Sequence, residues 1–219
     1  MIPPARLRNT LQPGDVLLVE GDRRVSAAIK YLTHSTWSHA AYYIGAPEGA
    51  EFIEADLQQG VRAVPVSAYD RLNTRICRPV GLDPAHLARL NGFMRDSIGK
   101  TYDLKNVLDL IRYLLPEPPV PQRWRRRMLA LGSGDPTRAI CSTLIAEGFQ
   151  RIGYPVLPEL RTDWTGPEAR EIAHIRHHSL FTPRDFDLSP YFRVVKPTLE
   201  AGFDYRQMAW YEDPPPGSA

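Results

Sequence analysis

Three kinds of side chain in this chain could together carry nucleophilic chemistry: a thiol, an imidazole and a carboxylate. Cys141 and His39 supply the first two, and Glu54 and Asp56 are candidates for the third. Cysteine chemistry needs a thiolate, a base that forms and holds it, and a group that orients the base. The sequence therefore allows a thiol nucleophile, provided that the fold brings these residues together.

The residues around Cys141 predict a helix over 140–152, because apolar or small residues recur at helical spacing. Cys141 shares one face with Ile145, Gly148 and Ile152, so we expect it to face the core. A helix that begins near Cys141 would favour the thiolate through its free N–H groups and could supply one oxyanion donor. Asp135-Pro136 could start the helix a turn earlier, and an inert buried cysteine is the alternative interpretation.

The segment 37–44 alternates as a strand does, and it predicts which carboxylates lie near His39. Alternation puts His39 on one face with Trp37, Ala41 and Tyr43. Turn-forming residues at 45–50 predict a hairpin in which Ile44 pairs with Glu51. Asp56 then lies opposite His39 and Glu54 is its diagonal neighbour on the same face. Either carboxylate could fix the tautomer of the imidazole and stabilise its charged form.

The elements around these segments predict an α+β domain with an antiparallel sheet of about five strands packed against the Cys141 helix, because consecutive strands precede consecutive helices. The predicted strands are 15–19, 37–44, 51–57, 60–66 and 75–80. The predicted helices are 24–33, 84–98, 103–115, 122–131 and 140–152, with a proline-rich loop at 116–121. We expect one domain over 1–219, in which 154–219 is a proline-rich C-terminal extension with a flexible end and room for little more than a strand near 191–195.

Composition restricts the partners and the compartment. The 27 basic and 25 acidic residues are too balanced to require a nucleic-acid partner, and none is expected. Both cysteines, Cys77 and Cys141, are expected to be free thiols in a chain of this size. No apolar stretch has the length of a signal peptide or a membrane span, so we expect a cytoplasmic protein, with peripheral membrane contact left open.

Several other residues were weighed for chemistry, and each has a plainer explanation. His34 is the one serious rival base, but it is expected at a helix end. Ser142 lacks the Gly-x-Ser-x-Gly elbow of serine hydrolases, and Cys77 is expected in the core. His174, His177 and His178 lack the cysteine or glutamate partners of a metal site, and the basic segment 123–127 is typical of a solvated helix face.

Several separate motifs, taken in order, resemble the permuted papain-like amidases of the YaeF/YiiX type, which are related to the NlpC-type cell-wall peptidases. The motifs are Leu11-Gln12-Pro13-Gly14-Asp15, Trp37-Ser38-His39, Ile53-Glu54-Ala55 with Gly60-Val61-Arg62, Gly99-Lys100-Thr101-Tyr102-Asp103, and Ile140-Cys141-Ser142-Thr143. In this type the histidine strand precedes the cysteine helix, as it does here. The resemblance covers roughly 11–153, and agreement of several motifs is more specific than any one of them.

The resemblance implies a cysteine hydrolase that cleaves an amide or ester bond through a thioester acyl-enzyme. It implies that Cys141 is the nucleophile, that His39 is the base, that Glu54 rather than Asp56 orients the base, and that Tyr102 lines the substrate site. The expected substrate is a small molecule, a peptide or a lipid, with no cofactor and no metal. A thioester-forming acyltransferase and a catalytically idle binding module of the same fold are the alternatives.

Overall fold

A computed structural model describes residues 4–22, 26–27, 30–31, 34–45, 51–56, 59–101, 140–163, 170–174, 177–204 and 206. Its main feature is a six-stranded sheet in which all neighbours are antiparallel and the strand order is β4-β3-β2-β1-β5-β8. These strands are β1 Val16–Glu20, β2 His39–Tyr43, β3 Phe52–Asp56, β4 Gly60–Val64, β5 Asn73–Pro79 and β8 Phe192–Val195. Strands β6 Glu159–Asp163 and β7 Arg170–His174 form a separate two-stranded sheet.

The α-helices with described bounds are α1 Pro4–Thr10, α2 Pro84–Asp96, α3 Ile140–Arg151, α4 Pro183–Leu188 and α5 Pro197–Glu200. Short 3-10 helices cover Val66–Tyr69 and His178–Leu180. Proline is the first residue of α2, α4 and α5, where its missing N–H costs no helical hydrogen bond. The Asp83 side chain caps α2 by accepting from the His86 N–H at 2.8 Å.

The sheet separates two apolar clusters, and one cluster packs on each of its faces. On one face, α2 and α3 cover the sheet, and Leu90, Met94 and Phe149 pack against Tyr42 and Ile53. On the other face, residues of α1 and of the first 3-10 helix complete a smaller cluster with strand residues. That cluster contains Leu7, Leu11, Leu17, Val19, Ala41, Phe52, Val64, Val66, Tyr69, Ile76 and Val195.

The predicted register of the β2–β3 hairpin is confirmed. Tyr42 pairs with Ile53 and Tyr43 with Phe52, and the Ile44 N–H donates to the Glu51 carbonyl at 2.9 Å. Because side chains alternate along a strand, this register fixes which face His39 and Glu54 share.

A buried ion pair holds the start of β1 to β5. Asp15 is fully buried, and Arg78 donates to its two carboxylate oxygens at 2.7 and 2.8 Å. The Gln12 N–H adds a third hydrogen bond at 2.8 Å, so the turn before β1 is fixed to the carboxylate. Gly14 completes this turn at φ +96°, a conformation that favours glycine.

Two predictions about the architecture need correction. The main sheet has six strands rather than about five, because β8 pairs with β5 along its edge. The expectation of little more than a strand after residue 153 is also wrong, since β6, β7, α4 and α5 form there. Pro183 and Pro197 do not exclude structure, because each stands at a helix start.

Other predicted elements are tested in part or not at all. Ser26, Ala27, Lys30 and Tyr31 are helical, in agreement with the helix predicted at 24–33. The predicted helices 103–115 and 122–131 and the loop 116–121 lie outside the described residues. Within the described part of the chain, no helix has the length and apolar character needed to cross a bilayer.

Two helical glycines allow a matched test of the α2–α3 contact. A Cβ on Gly148 would lie 2.8 Å from Leu90 Cδ1 and 2.9 Å from Met94 Cε, whereas a Cβ on Gly92 would meet nothing within 4 Å. We expect Gly148→Ala to lower the free energy of unfolding by about 1–2 kcal/mol, because Leu90 and Met94 are fully buried and cannot move freely.

Gly92→Ala is the control, and it should raise the free energy of unfolding by about 0.5–1 kcal/mol through helix propensity alone. Urea denaturation of both variants measures the difference. Equal effects at the two positions would contradict the close approach of the helices.

Candidate functional site

The two residues before His39 are both held by hydrogen bonds, and these bonds fix the point at which β2 begins. The Ser38 N–H donates to the Val19 carbonyl at 3.1 Å, and the Ser38 hydroxyl accepts from the Gly21 N–H at 2.9 Å. The Trp37 indole N–H donates to Asp187 of α4 at 3.1 Å, and the Arg75 guanidinium lies 4.9 Å above the indole ring. The Trp-Ser-His motif is therefore the anchored entry to β2.

The prediction that Trp37 shares the face of His39 is wrong. Trp37 packs in the larger cluster with Ala40 and Tyr42, whereas Ala41 belongs to the smaller cluster. The physical reason is that β2 begins at His39, so strand alternation does not extend back to Trp37.

Glu54, rather than Asp56, contacts His39. The Nε2 atom of His39 lies 2.6 Å from Glu54 Oε2, and Glu54 is 5% exposed. Asp56 instead accepts from the Gln59 N–H at 3.0 Å and lies 3.8 Å from Arg62. The diagonal contact predicted from the hairpin register is the one that forms.

Cys141 reaches His39 from the helix on the larger cluster. It is the second residue of α3, it is buried, and its thiol lies close enough to the His39 ring to raise the pKa of that imidazole. Ile145 on the same helix face packs in the larger cluster, as the spacing predicted. His39 is the first residue of β2, so its ring lies at an end of the sheet, where it contacts both Cys141 and Glu54.

Two residues that the analysis of the sequence did not single out complete the site around Glu54. Arg62 donates to Glu54 Oε1 from Nε at 2.9 Å and from Nη2 at 2.7 Å. The Tyr69 hydroxyl donates to Oε2 at 2.6 Å. The signal for Arg62 was present, because Glu54 pairs directly with Arg62 across β3 and β4. No local signal pointed to Tyr69, which comes from the 3-10 helix after β4.

These contacts shift the pKa values of the site in opposite directions. Burial opposes ionisation of Glu54, but hydrogen bonds from His39, Tyr69 and Arg62 and the charge of His39 lower its pKa to about 2. Burial also lowers the pKa of His39, but Cys141 and Glu54 outweigh burial and raise it above its ordinary value. Burial and the Glu54 charge raise the pKa of Tyr69, which therefore stays protonated as a donor.

The other residues weighed for chemistry lie elsewhere or have structural contacts. The Ser142 hydroxyl donates to the Phe181 carbonyl at 2.8 Å, and Cys77 is buried in the larger cluster, as predicted. His34 is exposed in a turn, with its ring beside Tyr31. His174 ends β7 and His178 lies in a 3-10 helix, so they do not share a helix.

The remaining expectations for this region concern residues that the structure does not describe. Tyr102, predicted to line the substrate site, lies outside the described residues, and so does the chain immediately before Ile140. In the described residues α3 begins at Ile140, and the alternative start at Asp135-Pro136 lies outside them.

A cavity of about 440 Å³ lies at the same end of the sheet as His39. Val19 pairs with His39 on one side and with Thr74 on the other, so Thr74, which lines the cavity, is two strands from His39, about 10 Å. Buried Trp37 and Val195 also line it, as do Leu199 and Phe203, which are among the exposed large apolar residues. The cavity is open to the surface, and His39, Glu54 and Cys141 do not line it.

Comparisons with known proteins agree with the resemblance. No protein-family model matches the chain. A curated protein of Escherichia coli (strain K12), named "Probable lipoprotein peptidase YaeF", is 22% identical in an alignment of 180 positions that covers 76% of this chain and 64% of that protein. The chain thus spans less than two thirds of that relative.

A crystal structure of the metalloprotein YiiX (DUF1105) from Escherichia coli O157:H7 superposes with a TM-score of 0.52 at 16% identity, covering 84% of this chain and 96% of YiiX. Among the described residues of this chain, no group of three or more His, Cys, Asp or Glu side chains is placed to hold a metal ion. The resemblance to the YaeF/YiiX type that the motifs indicated is confirmed by a sequence relative and by the fold.

Because the pKa of Glu54 is lowered in the folded protein, replacing its carboxylate by a neutral amide should lower the free energy of unfolding by an amount that depends on pH. A carboxyl whose pKa is lowered on folding adds stability above its ordinary pKa, here 4.5, and loses that contribution as the pH falls toward about 2. We expect Glu54→Gln to lower the free energy of unfolding by about 3 kcal/mol at pH 7, with the difference narrowing below pH 4.5.

Urea denaturation between pH 3 and 7 measures this difference. Glu147→Gln is the control, because Glu147 pairs with Arg151 on the surface of α3 and should cost less than about 1 kcal/mol. A Glu54→Gln difference that is independent of pH would contradict the ionised, hydrogen-bonded carboxylate.

Proposed function

We propose that this chain is a cysteine hydrolase of the permuted papain-like type that cleaves an amide or ester bond, with Cys141 as nucleophile, His39 as base and Glu54 as the orienting acid. The observation that carries the proposal is the contact of His39 with Glu54 at 2.6 Å, together with a Cys141 thiol close enough to the same ring to raise its pKa. A nucleophile, a base within reach of it and a third group that orients the base are what acyl transfer through a thiol requires.

The hydrogen bonds of Glu54 support one tautomer of His39. Tyr69 and Arg62 are donors, and an ionised carboxylate can only accept, so Nε2 contributes its own hydrogen to the contact with Oε2. In the neutral ring this leaves Nδ1 as the acceptor for the thiol proton.

The chemical steps then follow from the proton transfers of His39. His39 takes the thiol proton, and the sulfur attacks the carbonyl carbon to form a C–S bond. The imidazolium returns a proton to the leaving amine or alcohol as its bond to the carbonyl carbon breaks, which leaves a thioester. His39 next deprotonates a water molecule that attacks the thioester, releasing the acid and restoring the thiol.

The comparisons support hydrolysis but leave the substrate open. The sequence relative is named a peptidase, and an acylated amine, a peptide or a lipid would each present a suitable carbonyl group. By resemblance, Tyr102 lines the substrate site. The cavity near Thr74, which is two strands or about 10 Å from His39, supports binding of a part of the substrate remote from the reacting carbonyl group.

A cytoplasmic location is part of the proposal, and two free thiols support it. The name of the relative refers to a lipoprotein, so the compartment needs a direct measurement. Fractionation of cells that express the full-length natural gene product, with detection by antibody, would report it.

Removing the nucleophile or the base should abolish turnover. We expect Cys141→Ala to lose all measurable hydrolysis, and we expect His39→Gln to lower kcat by about 1,000-fold or more. Mass spectrometry of the wild type, incubated with a mixed panel of acyl amides and esters, should detect a thioester adduct on Cys141.

Cys77→Ala is the matched control, because Cys77 is the other free cysteine and is buried in the core. It should retain the adduct and the activity. Iodoacetamide should also alkylate Cys141 much faster than an ordinary thiol at neutral pH. An ordinary rate would favour an idle binding module, and transfer of the acyl group to added amines in preference to water would favour an acyltransferase.

Changes at the rim of the cavity should alter specificity rather than chemistry. Leu199 and Phe203 are exposed, so Leu199→Gln and Phe203→Gln should fold normally. We expect each to raise KM about fivefold for substrates long enough to reach the cavity, and to leave the hydrolysis of a short acetyl ester unchanged. Equal effects on long and short substrates would contradict a role for the cavity in binding.

A further inference from the structure

The carboxylate of Glu54 accepts hydrogen bonds from four donor atoms although it is almost fully buried. His39 Nε2 and the Tyr69 hydroxyl share Oε2, and two guanidinium nitrogens of Arg62 share Oε1. A carboxylate has about four acceptor positions, so this one is saturated. A saturated acceptor has a single low-energy orientation, because any rotation would break at least one bond to a partly buried donor.

We propose that Arg62 and Tyr69 are positioning residues for the reaction: both donate to the carboxylate of Glu54, Arg62 adds a positive charge beside Oε1, and Tyr69 fixes the direction in which Oε2 meets His39. This inference rests on the proposed function. It assigns two donors to the orienting acid, of which Arg62 alone carries a charge.

The charge of Arg62 balances the site when the thiol is ionised. The thiolate of Cys141 and the carboxylate of Glu54 carry two negative charges, and the imidazolium of His39 and Arg62 carry two positive ones. Asp56 also lies 3.8 Å from Arg62, while the Gln59 side chain accepts from the same guanidinium. Without Arg62 the buried carboxylate would keep its desolvation cost with less compensation, and its protonation would weaken the support of the imidazolium.

The position of Tyr69 is set by residues that do not take part in the chemistry. Its ring packs edge-to-face on Phe52 at 5.1 Å, and Phe52 precedes Glu54 by two residues on the same strand. The 3-10 helix that carries Tyr69 is fixed where the Val66 N–H donates to Glu51 at 3.0 Å. Tyr69 is thus held to Glu51 and Phe52, which closely precede Glu54 along the chain, and these contacts position the Tyr69 hydroxyl relative to the Glu54 carboxylate.

Three variants separate charge from geometry: Arg62→Gln, Arg62→Lys and Tyr69→Phe. The first measurement is the rate of Cys141 alkylation by iodoacetamide between pH 3 and 8, which needs no substrate. The second is kcat and KM for one ester substrate that the wild type hydrolyses. Tyr43→Phe is the control, because Tyr43 packs on the opposite strand against the same Phe52 ring, at 5.1 Å.

Arg62→Gln should move the acid limb of the alkylation profile to higher pH and lower kcat about tenfold, because Glu54 becomes protonated more easily. Arg62→Lys should restore the limb, since a lysine keeps the charge, but should recover kcat only in part, since it lacks the bidentate fork. Tyr69→Phe should also move the limb to higher pH, because the carboxylate loses a donor that favours its ionised form, and should lower kcat about five- to tenfold at unchanged KM.

Two results would overturn the inference while the proposed function stands: an acid limb in Arg62→Gln that matches the wild type, or a kcat in Tyr69→Phe that matches Tyr43→Phe. Arg62→Lys keeps the test valid if Arg62→Gln folds poorly, since an unchanged kcat in the lysine variant would exclude a need for the fork. A wild-type Cys141 that reacts like an ordinary thiol would instead overturn the proposed function itself.

Discussion

The register of the β2–β3 hairpin is the constraint on which the candidate site depends. The Ile44 N–H donates to the Glu51 carbonyl, and this pairing places Glu54 on the face that His39 occupies. A slip of one residue would turn Glu54 into the larger cluster and leave the donors from Arg62 and Tyr69 without an acceptor. The apolar partners of the hairpin oppose such a slip, because it would also turn Phe52 and Ile53 away from the clusters in which they pack.

Much of this arrangement could be predicted because it depends on short-range rules. Strand alternation and turn-forming residues at 45–50 predicted the register that makes Glu54 and Asp56 the candidate partners of His39, and helical spacing predicted that Cys141 faces the core. Resemblance then favoured Glu54 over Asp56, where the register alone had left both open. The contact at 2.6 Å agrees with that choice.

The features that were missed depend on contacts between distant parts of the chain. Tyr69 approaches Glu54 only because the chain after β4 folds back over Phe52, and no periodic pattern encodes that turn. The sixth strand needs β8 to reach the free edge of β5, although prolines surround it in sequence. Trp37 was assigned to the wrong face because an anchored entry segment resembles a strand in composition.

The base, the orienting acid and the two other donors to that acid come from one continuous piece of chain. They are His39, Glu54, Arg62 and Tyr69, on successive elements from β2 to the 3-10 helix. Cys141 comes from a separate helix, which packs on the opposite face of the sheet and contacts the side chains of the site at the His39 ring. The two pieces are joined through side-chain packing, which does not require one order of the pieces along the chain. A gene that encoded the helix first and the hairpin second could build the same contacts, since nothing in them depends on which piece the ribosome completes earlier.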